Sequence, residues 1–290
     1  MLPFQEALKR ARVLLLDGAM GTQITARGGE TGPIANLKHP DIVLAVHTDY
    51  REAGAQILLT NTFTANRIYL ENAGMGDKFE ELNRVGVELC KKAAAGRCYV
   101  CGDMTSTGKF LEPLGDYTEQ QFYDNAFEQA AILAESGVDC LIIETMTDVR
   151  ETRIDVKAAK DATGLPVIAS MAFDTAGGSF RTMMGDTVDK AVLELAEAGA
   201  DVIGVNCGTI DPMEAAQVIE RMRSLTGLPL VAQPNAGKPE LADGQVKFDL
   251  GPEEFADGVA RCFEAGATLV GGCCGTTPAH ISALAARLEA

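Results

Sequence analysis

The chain has 290 residues, 47% of them hydrophobic, with 25 Lys plus Arg against 41 Asp plus Glu and a formal net charge of −16. That length suits one α/β barrel with a large core, and the negative charge excludes nucleic acid and anionic membrane surfaces as partners by repulsion. No apolar run reaches the roughly 18 residues of a membrane span, and the start Met1 to Arg10 lacks a signal peptide's apolar stretch, so the chain reads as cytoplasmic.

Short apolar runs rich in β-branched residues alternate with stretches of helical periodicity, which predicts repeated βα units. Eight strands are expected: Val13 to Asp17, Gln56 to Thr60, Tyr99 to Asp103, Val138 to Glu144, Val167 to Ala172, Asp201 to Asn206, Leu230 to Gln233 and Thr268 to Gly271. Glycine stands between helix and strand at Ala53-Gly54-Ala55, Ser136-Gly137-Val138, Ala198-Gly199-Ala200 and Ala265-Gly266-Ala267, where it ends a helix at little steric cost. Leu165-Pro166 and Leu228-Pro229 make a similar turn. No GxGxxG follows the first strand, so the expected fold is a single α/β domain over residues 1–290, a (β/α)8 TIM-type barrel and not an open doubly wound sheet. Asp174 to Asp186 and Asn235 to Gly251 read as long loops.

Working groups of a parallel barrel lie at the carboxyl ends of its strands. Asp17 closes the first expected strand, Thr60 and Asn61 the second, Glu144 the fourth, Asn206 and Cys207 the sixth, Asn235 the seventh, and Cys273 and Cys274 the eighth. Of the eight cysteines, in a chain without a secretory signal that points to unpaired thiols or metal ligands and not a disulfide framework, Cys207, Cys273 and Cys274 therefore share one rim. Cys90, Cys98, Cys101, Cys140 and Cys262 fall in strands or helices as small buried hydrophobes. Three thiolates suit zinc with an open fourth position, the arrangement of a catalytic site. The plainer alternative is a set of unligated thiols or an adventitious disulfide of Cys207. A thiol joining such an ion loses its proton, and three anionic ligands keep its sulfur electron-rich, which favours thiolate attack over hydrolysis.

Asp17 and Glu144 would suit an ammonium group, and backbone N–H groups around Gly18 and the last glycine-rich loop could hold a carboxylate, which together describe an amino-acid thiol. The alternatives are a cap or turn role for Asp17 and an ion pair of Glu144 with Arg150 or Arg153. His39, His47 and His280 form no spaced ligand set and are expected in structural or solvated roles, with His39-Pro40-Asp41 starting a helix. The segment from Thr175 to Gly185, with Met183 and Met184, reads as a cover, a docking surface or a plain flexible loop.

Asp17-Gly18-Ala19-Met20-Gly21-Thr22, Thr60-Asn61-Thr62-Phe63, Gly204-Val205-Asn206-Cys207, Gln233-Pro234-Asn235-Ala236-Gly237 and Gly271-Gly272-Cys273-Cys274-Gly275-Thr276-Thr277-Pro278 occur in that order along the chain. This set resembles the homocysteine S-methyltransferase family, and within it the homocysteine-binding barrel of cobalamin-dependent methionine synthase. The resemblance implies zinc on Cys207, Cys273 and Cys274 with homocysteine sulfur in the fourth position. It implies that Asp17, Thr60 and Glu144 bind the amino-acid end, and that Asn235 approaches the metal when substrate is absent. Gly18, Asn61 and Asn206 are further substrate-site candidates, the two asparagines alternatively bracing the rim.

The betaine-using branch of that family holds its donor with aromatic side chains that include tryptophan and carries a tyrosine after the residue matching Glu144. Here Thr145 follows Glu144 and the chain has no Trp, which disfavours betaine. The expected donor is a methyl-corrinoid, methylcobalamin on a separate partner protein, with S-methylmethionine or another sulfonium as the alternative. A non-catalytic module binding zinc or a thiol is the rival of another class. A barrel aldolase or hydrolase would need a Schiff-base lysine or a His and carboxylate metal site at the rim, and neither is apparent.

Overall fold

The computed structural model describes residues 1–242 and 245–289. Eight parallel strands run in chain order: β1 (Leu14–Leu15), β2 (Ile57–Leu59), β3 (Tyr99–Met104), β4 (Cys140–Met146), β5 (Val167–Met171), β6 (Val202–Asn206), β7 (Leu230–Gln233) and β8 (Leu269–Val270). Each pairs with its neighbour in sequence, β8 returns to β1, and a parallel bridge between Leu16 and Ile57 joins β1 to β2. Every predicted strand is present within a few residues of its expected bounds, and the expected TIM-type barrel is the fold.

After the strands come helices α1 (Pro40–Glu52), α2 (Phe79–Ala94), α3 (Glu119–Glu135), α4 (Val149–Thr163), α5 (Val188–Glu197), α6 (Pro212–Arg223), α7 (Pro252–Glu264) and α8 (Pro278–Glu289). Their starts follow from local chemistry. Thr118 and Gln121 make a reciprocal capping box at α3, Asp211 and Glu214 make another at α6, and Pro40 opens α1 directly after His39. The junction glycines Gly54, Gly137, Gly199 and Gly266 sit at φ of 104°, 88°, 97° and 114°, a region closed to other residues at comparable cost.

Ala95, at the C-cap of α2, holds a left-handed φ of 50° without being glycine. The side chain is exposed, so Ala95→Gly should remove strain and lose no packing. The expected gain is about 1 kcal/mol, or a rise of roughly 2–4 °C in thermal midpoint; an unchanged or lower midpoint by calorimetry would refute it.

Side-chain alternation along the strands separates two apolar regions. Inward residues such as Leu14, Leu16, Ile57, Leu59, Tyr99, Cys101, Cys140, Ile142, Ile168, Val202, Val231 and Leu269 fill the barrel, and Phe4 and Ala7 of an N-terminal helix (Phe4–Arg10) join them. Phe4 meets Tyr99 edge-on with ring centroids 5.2 Å apart. Outward residues, among them Leu15, Leu58, Val100, Leu141, Ala169, Ile203, Ala232 and Val270, pack against the helices.

The two long loops need correction. A hairpin, Asp174–Ala176 with Ser179–Arg181, stands in the first, and Glu240–Ala242 pairs with Gln245–Lys247 in the second. Residues 243 and 244 of that second call lie outside the described residues. The reason is local pairing: short antiparallel strands satisfy one another's backbone groups without contributing to the barrel. Among the described residues no helix is long and apolar enough to cross a membrane.

Candidate metal centre

Cys207, Cys273 and Cys274 converge at the carboxyl mouth of the barrel, their sulfurs all within 4.8 Å of one another and the Cys207 and Cys274 Sγ atoms 4.0 Å apart. Sulfurs arranged tetrahedrally about zinc at ~2.3 Å lie about 3.8 Å apart, so small side-chain adjustments would suffice to bind it. The other five cysteines are buried in the core, as expected, with Cys101 and Cys140 side by side across β3 and β4. Two surface hollows of about 510 and 640 Å³ include none of the rim residues, and the case for a site rests on the thiols.

Backbone contacts explain why the thiols meet. Cys273 N–H donates to Pro234 C=O at 2.9 Å and Ala236 N–H to Cys274 C=O at 3.0 Å, tying the cysteine turn to the end of β7. The Thr276 hydroxyl donates to Cys273 C=O at 2.7 Å and accepts from Ala19 N–H at 2.9 Å, tying it also to the chain after β1. Cys207 has a left-handed φ of 53°, as does Thr145 at 57°. Such strain in non-glycine residues is held only where the surroundings enforce it. Here Asn206 does so for Thr145: its Oδ1 accepts Thr145 N–H at 2.8 Å, while its Nδ2 donates to Thr145 Oγ1 at 2.7 Å and to Glu144 Oε2 at 2.9 Å.

The three crowded thiols share protons unequally. Hydrogen bonds from Cys207 and Cys273 pull Cys274 down to about 4. Cys207, lowered by its contact with Cys273 but raised more by Cys274 and by burial, ends at about 12. Cys273 is pushed well up, first by its contacts with Cys207 and Cys274. A metal ion in their midst would reverse that logic and favour all three thiolates.

Glu144 is 8% exposed and raised to about 8, first by burial and then by the charge of Cys207. Among the described residues it makes no ion pair: Arg150 and Arg153 turn instead to Glu119, and Arg153 also to Glu194. Asp17 is buried, accepts Leu59 N–H at 2.9 Å and is likewise raised, with burial the largest cause. Thr60 Oγ1 accepts Asp103 N–H at 3.0 Å and lies 2.6 Å from Thr62 Oγ1. Asn61 Nδ2 donates to Asn36 Oδ1 at 2.8 Å and Gly32 C=O at 3.1 Å, which braces the rim. Asn235 donates to Gly208 C=O at 2.9 Å, leaving its buried Oδ1 without a partner.

The histidines are structural. His39 precedes α1, His47 is buried within it, and His280 in α8 lies with Nε2 3.0 Å from Leu250 C=O. Sequence reasoning missed Asp103, which joins Asp17 and Glu144 as a buried carboxylate inside the barrel; the signal available was a charged residue two places beyond Cys101 at the end of an apolar strand.

A parallel barrel with three thiols converging at its carboxyl mouth defines a class, that of α/β barrels whose rim thiols could hold a metal ion. The chain belongs to the homocysteine S-methyltransferase family, whose model matches residues 14–288. It is 33% identical over 297 residues to methionine synthase of Mycobacterium tuberculosis, covering 95% of this chain and 24% of that protein. The corresponding identity to methionine synthase of Mycobacterium leprae is 32%. The chain thus spans about a quarter of the length of these curated relatives. Among solved structures it is similar to the homocysteine methyltransferase MmuM from Escherichia coli in its metallated form, with 28% identity, a TM-score of 0.77 and coverage of 98% of this chain and 99% of that one.

Proposed function

We propose that this barrel, residues 1–290, binds zinc through Cys207, Cys273 and Cys274 and transfers a methyl group to the sulfur of homocysteine, giving methionine. The observation that carries the reading is the convergence of three thiols within 4.8 Å at the mouth of the barrel. Bound zinc would supply the charge that keeps the substrate thiol deprotonated and nucleophilic at neutral pH.

The protein's own residues do the rest. Asp17 and Glu144 receive the ammonium group, N–H groups near Gly18 receive the carboxylate, and Thr60 lines the same end. Asn206 holds Glu144 in place, and Asn61 steadies the rim. Asn235, with its unpartnered Oδ1, fits the part of a substrate-free ligand. The thiol proton leaves to solvent, directly or through Glu144. The sulfur then attacks the methyl carbon in line, forming the S–C bond as the donor keeps the electron pair of the bond that breaks; positioning sets the rate.

The donor we favour is a methyl-corrinoid, methylcobalamin on a separate partner protein that docks over the mouth. The likeness to methionine synthases supports methionine as the product and a corrinoid as the donor, with its carriage on a separate partner our inference. A small sulfonium such as S-methylmethionine is the second reading, favoured by coverage of 99% of the MmuM chain, a homocysteine methyltransferase of the same extent as this barrel.

Zinc content and the zinc-edge X-ray absorption spectrum, with and without homocysteine, test the proposal. One zinc per chain, with its sulfur count rising from three to four when homocysteine is added, is the expected result. No zinc, or a count that homocysteine leaves unchanged, overturns it. Turnover with methylcobalamin against S-methylmethionine then separates the two donors.

A further inference from the structure

The last inward-facing side chains of β3, β5 and β7 are Asp103, Ser170 and Gln233, directly above the apolar Cys101, Ile168 and Val231. Alternate strands of a barrel contribute to one layer of side chains. These three therefore form a floor beneath Glu144 and Asn206, which come from the even-numbered strands between them. They are 6%, 0% and 2% exposed. Each carries a buried atom without a hydrogen-bond partner: Asp103 Oδ1, Ser170 Oγ and Gln233 Oε1. Buried polar groups are nearly always paired in native proteins, so three unpaired atoms in one layer point to an occupant.

The chemistry of the layer selects that occupant. The main chain of Asp103 is already engaged, its N–H by Thr60 Oγ1 at 3.0 Å and its C=O by Thr62 Oγ1 at 2.7 Å, so the free Oδ1 is what it offers. Among the described residues, no ion pair reaches Asp17, Asp103 or Glu144. The pocket is rich in acceptors and holds three buried carboxyl groups with no Lys or Arg paired to them among the described residues. An ammonium group is its complement, with three N–H donors and no acceptor.

We propose that Asp103 is a specificity-determining residue for the methyl acceptor: with Ser170 and Gln233 it receives the α-ammonium of an amino-acid thiol from below, so that thiols lacking the amino group are rejected. This rests on the reading that such a thiol joins the cysteine centre. Burial, then the charges of Glu144 and Asp17, raises the Asp103 carboxyl well above its usual range, a repulsion that a bound ammonium relieves. Sites built to pair a substrate N–H discriminate strongly against analogues without it, because their buried acceptors are then left unpaired.

The test compares homocysteine with 4-sulfanylbutanoate, which is homocysteine without its amino group, on zinc-loaded protein by calorimetry and zinc-edge sulfur count. Wild type is expected to prefer homocysteine by roughly 100-fold or more. Asp103→Asn should weaken homocysteine binding roughly 10- to 100-fold and leave 4-sulfanylbutanoate nearly unchanged, with zinc content and thermal midpoint retained. Gln233→Leu should shrink the same ratio, which keeps the test open if the first variant does not fold. Equal affinity of wild type for both thiols, or full discrimination in a folded Asp103→Asn protein, overturns the inference and leaves the floor to water. If neither thiol raises the sulfur count in wild type, the proposed function itself fails and this inference with it.

Discussion

Cys273→Ser is expected to leave a folded barrel that loses most of its zinc and transfers methyl groups at least about 100-fold more slowly, since outer partners of metal ligands alone are worth 10- to 100-fold. Serine matches cysteine in shape, so the turn pinned by Pro234, Ala236 and Thr276 should persist. What changes is the donor: a hydroxyl stays protonated at neutral pH and is a harder ligand than thiolate, leaving two soft ligands where three are needed. Cys262→Ser is the control. That thiol is buried in α7 and contacts Pro212 C=O at 3.4 Å, so the change should leave zinc and turnover in place. Metal analysis, a methyl-transfer assay and thermal melts on both variants decide the matter. Undiminished zinc and rate in Cys273→Ser would remove the cysteine centre from the mechanism.

Acidification should expose a second liability. His47 is fully buried in α1, neither ring nitrogen has a partner, and burial lowers its pKa to about 3 from 6.5. Between those values the unfolded chain binds a proton that the folded one refuses, so the stability attached to this group is present above pH 6.5 and declines as pH falls towards 3. The loss is on the order of 2 kcal/mol at pH 5 and 4–5 kcal/mol in full. Glu144 works in the opposite sense: raised to about 8, it contributes stability as pH falls from 8 towards its unfolded value. The measurement must therefore be a difference. Urea unfolding of wild type and His47→Leu at pH 7.5 and 5.0 should show a steeper decline for wild type by about 2 kcal/mol; equal declines would mean that His47 is not the acid-sensitive group.

Both expectations concern residues whose environments were differently legible. Cys207, Cys273 and Cys274 could be placed at one rim from the chain alone, because strand ends follow from hydrophobic periodicity and a parallel barrel puts all of its carboxyl ends on one side. His47 could be assigned to a helix after Pro40. Its burial without a partner depends on what packs over that helix, which no local pattern encodes.

What the amino-acid sequence determined by itself was the alternation of strands and helices, the glycine junctions, the barrel they imply and the rim cysteines with their family. The elements, junctions and rim rest on short-range rules, side-chain period, turn stereochemistry and capping, and the family rests on the likeness of its motifs. Only the tertiary structure decided that Asp103, Ser170 and Gln233 share a layer, that Asn206 clamps Glu144 and Thr145, and that the loops after β5 and β7 carry hairpins. Those relations join residues of separate elements, and they depend on the stagger of strands around a closed barrel, a property of the whole sheet that no single segment carries.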